Sequence, residues 1–153
     1  MAERVAEALR KEIRIDASPE TVFPYFTDPA RMTRWKGREA VLDPRPGGVY
    51  RVEINDQIVA AGEYVEVSPP TRVVFTWGWD GGAHPVPPGS TTVEVELVPD
   101  GDGTLVRLTH HGLPDDEQRE QHADGWSHYL GRLALAASGR DPGPDSLGRM
   151  QNA

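Results

Sequence analysis

The stretch "LPDDEQREQHADGWSHYLGRLALAA", residues 113–137, decides the fold. Asp115 stands where a helix N-cap belongs, and Gln118 follows three residues later, the spacing of a capping box. Ala123, Trp126, Leu130, Leu133 and Ala137 then recur three and four apart, which predicts a helix of about 20 residues with one apolar stripe. A stripe of that length must pack against something large.

Residues 39–110 supply the partner. The runs "EAVLD", "GVYRVEIN", "QIVAAGEYVEV", "RVVFTWGW", "STTVEVELV" and "TLVRLTH" read as strands, each bounded by Gly, Pro, Asn or Asp. The turns "NDQ", "SPPT" and "PDGDGT" predict antiparallel hairpins. With "LRKEIRID" at residues 9–16, they make a sheet of about seven strands, large enough to curl. Two short helices are expected after the first strand, because Ser18–Pro19 and Asp28–Pro29 each place a capping side chain before a proline. Pro24 limits the first of them. The expected class is α+β, a curved antiparallel sheet around a long C-terminal helix. A single domain is predicted over residues 1–138, followed by a flexible tail, "GRDPGPDSLGRMQNA", over 139–153.

Composition narrows the function. The chain has 153 residues and net charge -8, and no window is dense enough in Lys and Arg to neutralise a row of phosphates. The best basic candidate, "RMTRWKGR" from Arg31 to Arg38, is read as surface arginines around a loop tryptophan, so no nucleic-acid partner is expected. Cysteine is absent, which excludes disulfides, thiolate catalysis and Cys-type zinc sites. No secretory h-region and no apolar run near the ~18 residues of a membrane helix is present. A cytoplasmic location without membrane insertion is expected.

The order strand, two small helices, six strands and long helix resembles the helix-grip (Bet v-like) fold of the START-like or SRPBCC superfamily. The segments "SPETVFPYFTDPARMTRW", "AAGEYVEVSPPTRVVFTWGW", "GSTTVEVELVPDGDGTLVRLTHHGLP" and "HADGWSHYLGRL" are similar to the branch named after the activator of the heat-shock protein 90 ATPase. The resemblance covers residues 10–137. It implies a ligand carrier, a polyketide cyclase or dehydratase, or a chaperone-interacting module, and fold alone does not choose among them. Pro24 and the insertion "DGGAHPVPPG", residues 80–89, depart from the usual pattern near the expected entrance of the groove.

Four of the five histidines fall in residues 110–128. Strand alternation puts His110 with Val106 and Leu108 on the apolar, concave face and turns His111 outward. On the helix, His122 shares the inner stripe with Trp126, and His128 is expected to face Asp124 at the surface. His110 and His122 are therefore the two imidazoles that could meet inside. Two are too few for zinc without a carboxylate, and no HExxH spacing supplies one, so no metal is expected. Two readings of His110 stay open: a buried histidine with satisfied hydrogen bonds, or a catalytic group that polarises or deprotonates a carbonyl ligand.

Asp115, Asp116 and Glu117 suit the positive end of the helix dipole. "PDGDGT" lacks the ligands of a calcium loop, and no GxSxG, phosphate loop or GxGxxG is present, so no cofactor is expected. A small apolar or aromatic molecule between sheet and helix is the leading expectation. The residues expected to line its site are Trp35, Tyr50, Val52, Ile54, Phe75, Trp77, Trp79, His110, His122, Trp126, Tyr129 and Leu130. Trp79, ending its strand, and Trp35, in a loop near the expected entrance, are better candidates than Trp77. Enzymatic activity is left open. A homodimer through a strand edge or the tail is a further expectation.

Overall fold

A computed structural model describes residues 8–81 and 85–145. The proline-capped segments fold for local reasons. Ser18 Oγ accepts from Thr21 N at 3.2 Å and opens α1 (Pro19–Val22), and Asp28 Oδ1 accepts from Ala30 N at 3.2 Å and opens α2 (Pro29–Met32). Pro24 has no amide proton for the carbonyl of Glu20, so α1 stops after one turn and Phe23–Phe26 continues as a 3-10 turn.

The strands are β1 (Leu9–Ile15), β2 (Glu39–Leu42), β3 (Val49–Glu53), β4 (Val59–Ser68), β5 (Arg72–Trp77), β6 (Trp79–Asp80), β7 (Thr91–Asp100) and β8 (Gly103–His111). All pairings are antiparallel, in the order β1-β8-β7-β5-β4-β3-β2, with β6 on β4. Among the described residues there are eight strands, where about seven are expected, because "RVVFTWGW" breaks at Gly78. A Cβ there would stand 1.6 Å from the carbonyl oxygen of Pro87, so the backbone of the β6–β7 loop lies directly on this residue. The sheet bends at β4, where the register against β5 shifts between Tyr64 and Glu66.

Helix α3 (Asp116–Ala137) begins where the cap predicted, with Asp115 Oδ1 accepting from Gln118 N at 2.9 Å. It buries Trp126, Leu130, Leu133 and Ala137 as the stripe required, and the buried face widens to take in His122, Tyr129 and Ala136 while Ala123 is half-buried. The core lies between this face and the concave side of the sheet. After Ser138 the chain folds back on α3. Arg132 Nη1 donates to the carbonyls of Pro142 at 3.2 Å and Pro144 at 3.3 Å, and Tyr129 Oη donates to Asp145 at 2.7 Å. These bonds are made by the first part of the segment expected to be flexible, and its remainder, residues 146–153, lies outside the described residues.

Candidate functional site

His110 stands near the end of β8, paired with Leu9 on one side and Val93 on the other, and is fully buried on the concave face with Val106 and Leu108. His122 comes from α3, one turn before Trp126. The two imidazoles meet edge to face, their centroids 5.6 Å apart.

The hydrogen bonds fix both tautomers. Trp126 Nε1 donates to His110 Nδ1 at 3.1 Å, so the proton of the neutral ring is on Nε2. That nitrogen faces Thr91 Oγ1 at 2.8 Å, and the Thr91 hydroxyl gives its own proton to the carbonyl of Trp77 at 2.8 Å, leaving its oxygen to accept from His110. Burial, with lesser contributions from His122, Lys36 and His111, pushes His110 down to about 2. His110 is neutral, with both nitrogens engaged. His122 repeats the arrangement in the other tautomer: Trp79 Nε1 donates to its Nε2 at 3.0 Å, and its Nδ1–H goes to the carbonyl of Gln118 at 2.8 Å.

Lys36 lies within "RMTRWKGR", a stretch whose charges suggest a surface. It follows α2 on one more helical turn, its amide bonded to the carbonyl of Met32 at 2.9 Å, and this turn carries its side chain inward with Met32. Only 2% of Lys36 is exposed. Its Nζ lies 3.7 Å from the ring centroid of Trp77, 4.2 Å from that of Trp126 and 5.6 Å from that of Tyr129. Burial holds the amine well below the ordinary lysine value, against a weaker opposing pull from Asp145. The contacts of Nζ are thus ring faces and the charge of Asp145, and Trp77 Nε1 is buried without an acceptor. A signal was present in the sequence: the spacing of four from Met32 to Lys36 puts the two on one face of a turn.

The expected lining divides in two. Tyr50 stacks on Phe75 at 4.2 Å and 10°, a separation that leaves no room for a third ring, and Val52 and Leu130 are buried in the same core. Trp35, expected beside an entrance, is buried: its Nε1 donates to the carbonyl of Tyr25 at 3.0 Å and its ring packs edge-on against Phe26. At the other end Trp77, Trp79, Trp126, His110 and His122 form a continuous set of ring contacts, with Trp79 half-buried. The amide of Trp79 donates to the carbonyl of Val86 at 2.7 Å, which pins the β6–β7 loop beside it; Gly82, Ala83 and His84 of that loop lie outside the described residues. Ile54 and Tyr129 are buried, the latter with its hydroxyl turned to Asp145.

His111 lies on the outer face, 3.2 Å from the Glu94 carboxylate. His128 corrects one expectation. It bonds Asp145 at 2.9 Å rather than pairing with Asp124, because the returning chain brings Asp145 across α3. Among the described residues no group of three or more His, Asp or Glu could hold a metal ion, and no helix is long and apolar enough to cross a membrane.

A curved antiparallel sheet gripping one long helix, with short helices after the first strand, defines a START-like helix-grip protein. The model of the Activator of Hsp90 ATPase homolog 1-like protein family matches residues 16–137, and the chain belongs to that family. It is similar to an AHSA1-like protein of Rhizobium etli at 48% identity over 95% of this chain and 91% of that one, with a TM-score of 0.72. CalU16 of Micromonospora echinospora is 28% identical over 86% of this chain and 76% of its own, with a TM-score of 0.69. DynU16, ascribed to the dynemicin biosynthetic locus, is 23% identical over 91% of this chain and 50% of its own, with a TM-score of 0.77. No curated protein matches the chain.

Proposed function

We propose that this protein binds a small, largely apolar or aromatic molecule between its sheet and α3, at the Trp79 end of the groove. The supporting observation is Trp77 Nε1, a buried donor without an acceptor, beside the buried Lys36 amine, whose Nζ lies over aromatic ring faces close to half-buried Trp79. Interiors rarely leave such groups unpaired, and ligand sites regularly present a few polar groups within an apolar wall. The reading places the ligand against Trp77, Trp79, Trp126, His122 and Ile54, and assigns Tyr50, Val52, Phe75 and Trp35 to the core. His110 serves as a support that orients Trp126, since general-base chemistry needs a free lone pair that its Nδ1 does not have.

A thermal-shift screen of flat aromatic and lipid-like compounds tests the proposal. A ligand at ~100 times its dissociation constant stabilises by about 2.7 kcal/mol and raises Tm by several degrees. The expected result is a shift with an aromatic compound that disappears in Trp79→Ala; silence across the set refutes it. Action in the cytoplasm is part of the reading, supported by the absence of cysteine. A chaperone partner has the family name behind it, and a pulldown without enrichment of the chaperone removes it.

A further inference from the structure

If the groove binds an aromatic molecule, as proposed above, the buried donors name its chemistry. Lys36 Nζ lies over the faces of Trp77 and Trp126, and a ring face has no lone pair to accept a directed hydrogen bond from it. Trp77 Nε1, on the edge of the same indole, is the second buried donor. The acceptors nearby are committed elsewhere. His110 Nδ1 takes Trp126 Nε1, His122 Nε2 takes Trp79 Nε1, and Asp145 takes Tyr129 Oη and His128 Nε2. Gln118 Oε1, a buried acceptor, bonds to neither donor.

The residue type sharpens the point. Of the 16 basic side chains only Lys11 and Lys36 are lysines, so 16 − 2 = 14 are arginines. A lysine at this position offers a compact, rotatable point donor, where a planar guanidinium would need a broader slot between the rings. An amine over ring faces and an indole N–H without an acceptor suit a ligand that brings its own acceptor, and a charged oxygen pair makes the strongest such contact.

We propose that Lys36 anchors the carboxylate of an aromatic acid, which takes a charge-assisted hydrogen bond from Nζ while its ring lies along Trp77 and Trp126.

The test compares 2-naphthoate with 2-naphthamide, alike in shape and different in charge, on the whole chain and on Lys36→Met, by calorimetry. Naphthoate should bind the natural protein at least about tenfold more tightly than naphthamide, and Lys36→Met should erase that preference. A second readout needs no variant: lysine labelled with carbon-13 at Cε gives two side-chain signals, from Lys11 and Lys36, and naphthoate but not naphthamide should shift that of Lys36. Equal binding of the two probes with the Lys36 signal unmoved overturns the acid assignment and leaves the ligand-binding reading standing. An equal loss of both probes in Lys36→Met, with no selective shift, reduces Lys36 to a packing residue and also overturns it. Absence of binding by either probe, together with a silent aromatic screen, overturns both.

Discussion

His110 shows how one residue can look catalytic in sequence and structural in place. Replacing it with Phe keeps a ring in the core but leaves Trp126 Nε1 without its acceptor and Thr91 Oγ1 without the N–H it accepts. His110→Phe should therefore cost about 2 kcal/mol near neutral pH, measured by urea unfolding. The cost should shrink in acid. His110 is held at about 2 in the folded protein, from an ordinary value of 6.5, so below the ordinary value the unfolded chain takes up a proton that the folded chain refuses. This destabilises the natural protein by slightly more than 1 kcal/mol for each pH unit, a loss that the Phe variant escapes. By about pH 5 the two should be equally stable, and a difference that stays constant from neutral to that pH would show that His110 titrates normally. The inward direction of His110 was legible from strand alternation alone. Its tautomer was not, because that depends on Trp126 and Thr91, which reach it from distant elements.

At the scale of elements, sequence reading succeeds where the cause is local. Ser18, Asp28 and Asp115 each cap the helix that follows them, and Asp115→Ala should lower stability by about 1 kcal/mol without changing the fold. The break between β5 and β6 has a remote cause. "RVVFTWGW" alternates without interruption, and nothing within it tells that the carbonyl of Pro87 will lie where a Cβ at position 78 would be. Gly78→Ala forces that loop backbone away from β6 and so loosens the Val86 contact to Trp79. The variant should quench more readily with acrylamide in tryptophan fluorescence than the natural protein, and unchanged quenching would mean that the loop does not hold Trp79. Remoteness also hid the partner of His128. The helix spacing offered Asp124, and the returning chain supplied Asp145.

For the whole molecule, the weightiest feature is an amine kept inside an aromatic core. The helix-grip architecture was legible because one amphipathic helix and a series of punctuated strands admit few packings, whereas Lys36 was hidden in a stretch whose charges read as surface. A buried amine lowers stability, and apolar replacements of buried charged groups are often stabilising. Lys36→Met should therefore raise Tm at about pH 7. The sign of the pH dependence follows from burial, which lowers the folded amine below its ordinary 10.5. Between the two values the unfolded chain holds a proton that the folded chain lacks, so the penalty is largest at low pH and is relieved as pH rises toward the ordinary value. Tyr50, Tyr64 and Tyr129, all pushed up by burial, oppose this trend only above about pH 10, where unfolded phenols begin to ionise. As pH rises toward the ordinary lysine value, the advantage of Lys36→Met over the natural protein should therefore shrink, read as a narrowing difference in Tm between the two. A difference independent of pH would mean that the amine is protonated in the folded state, and the ring faces of Trp77 and Trp126 would then be stabilising an ammonium rather than surrounding a neutral amine.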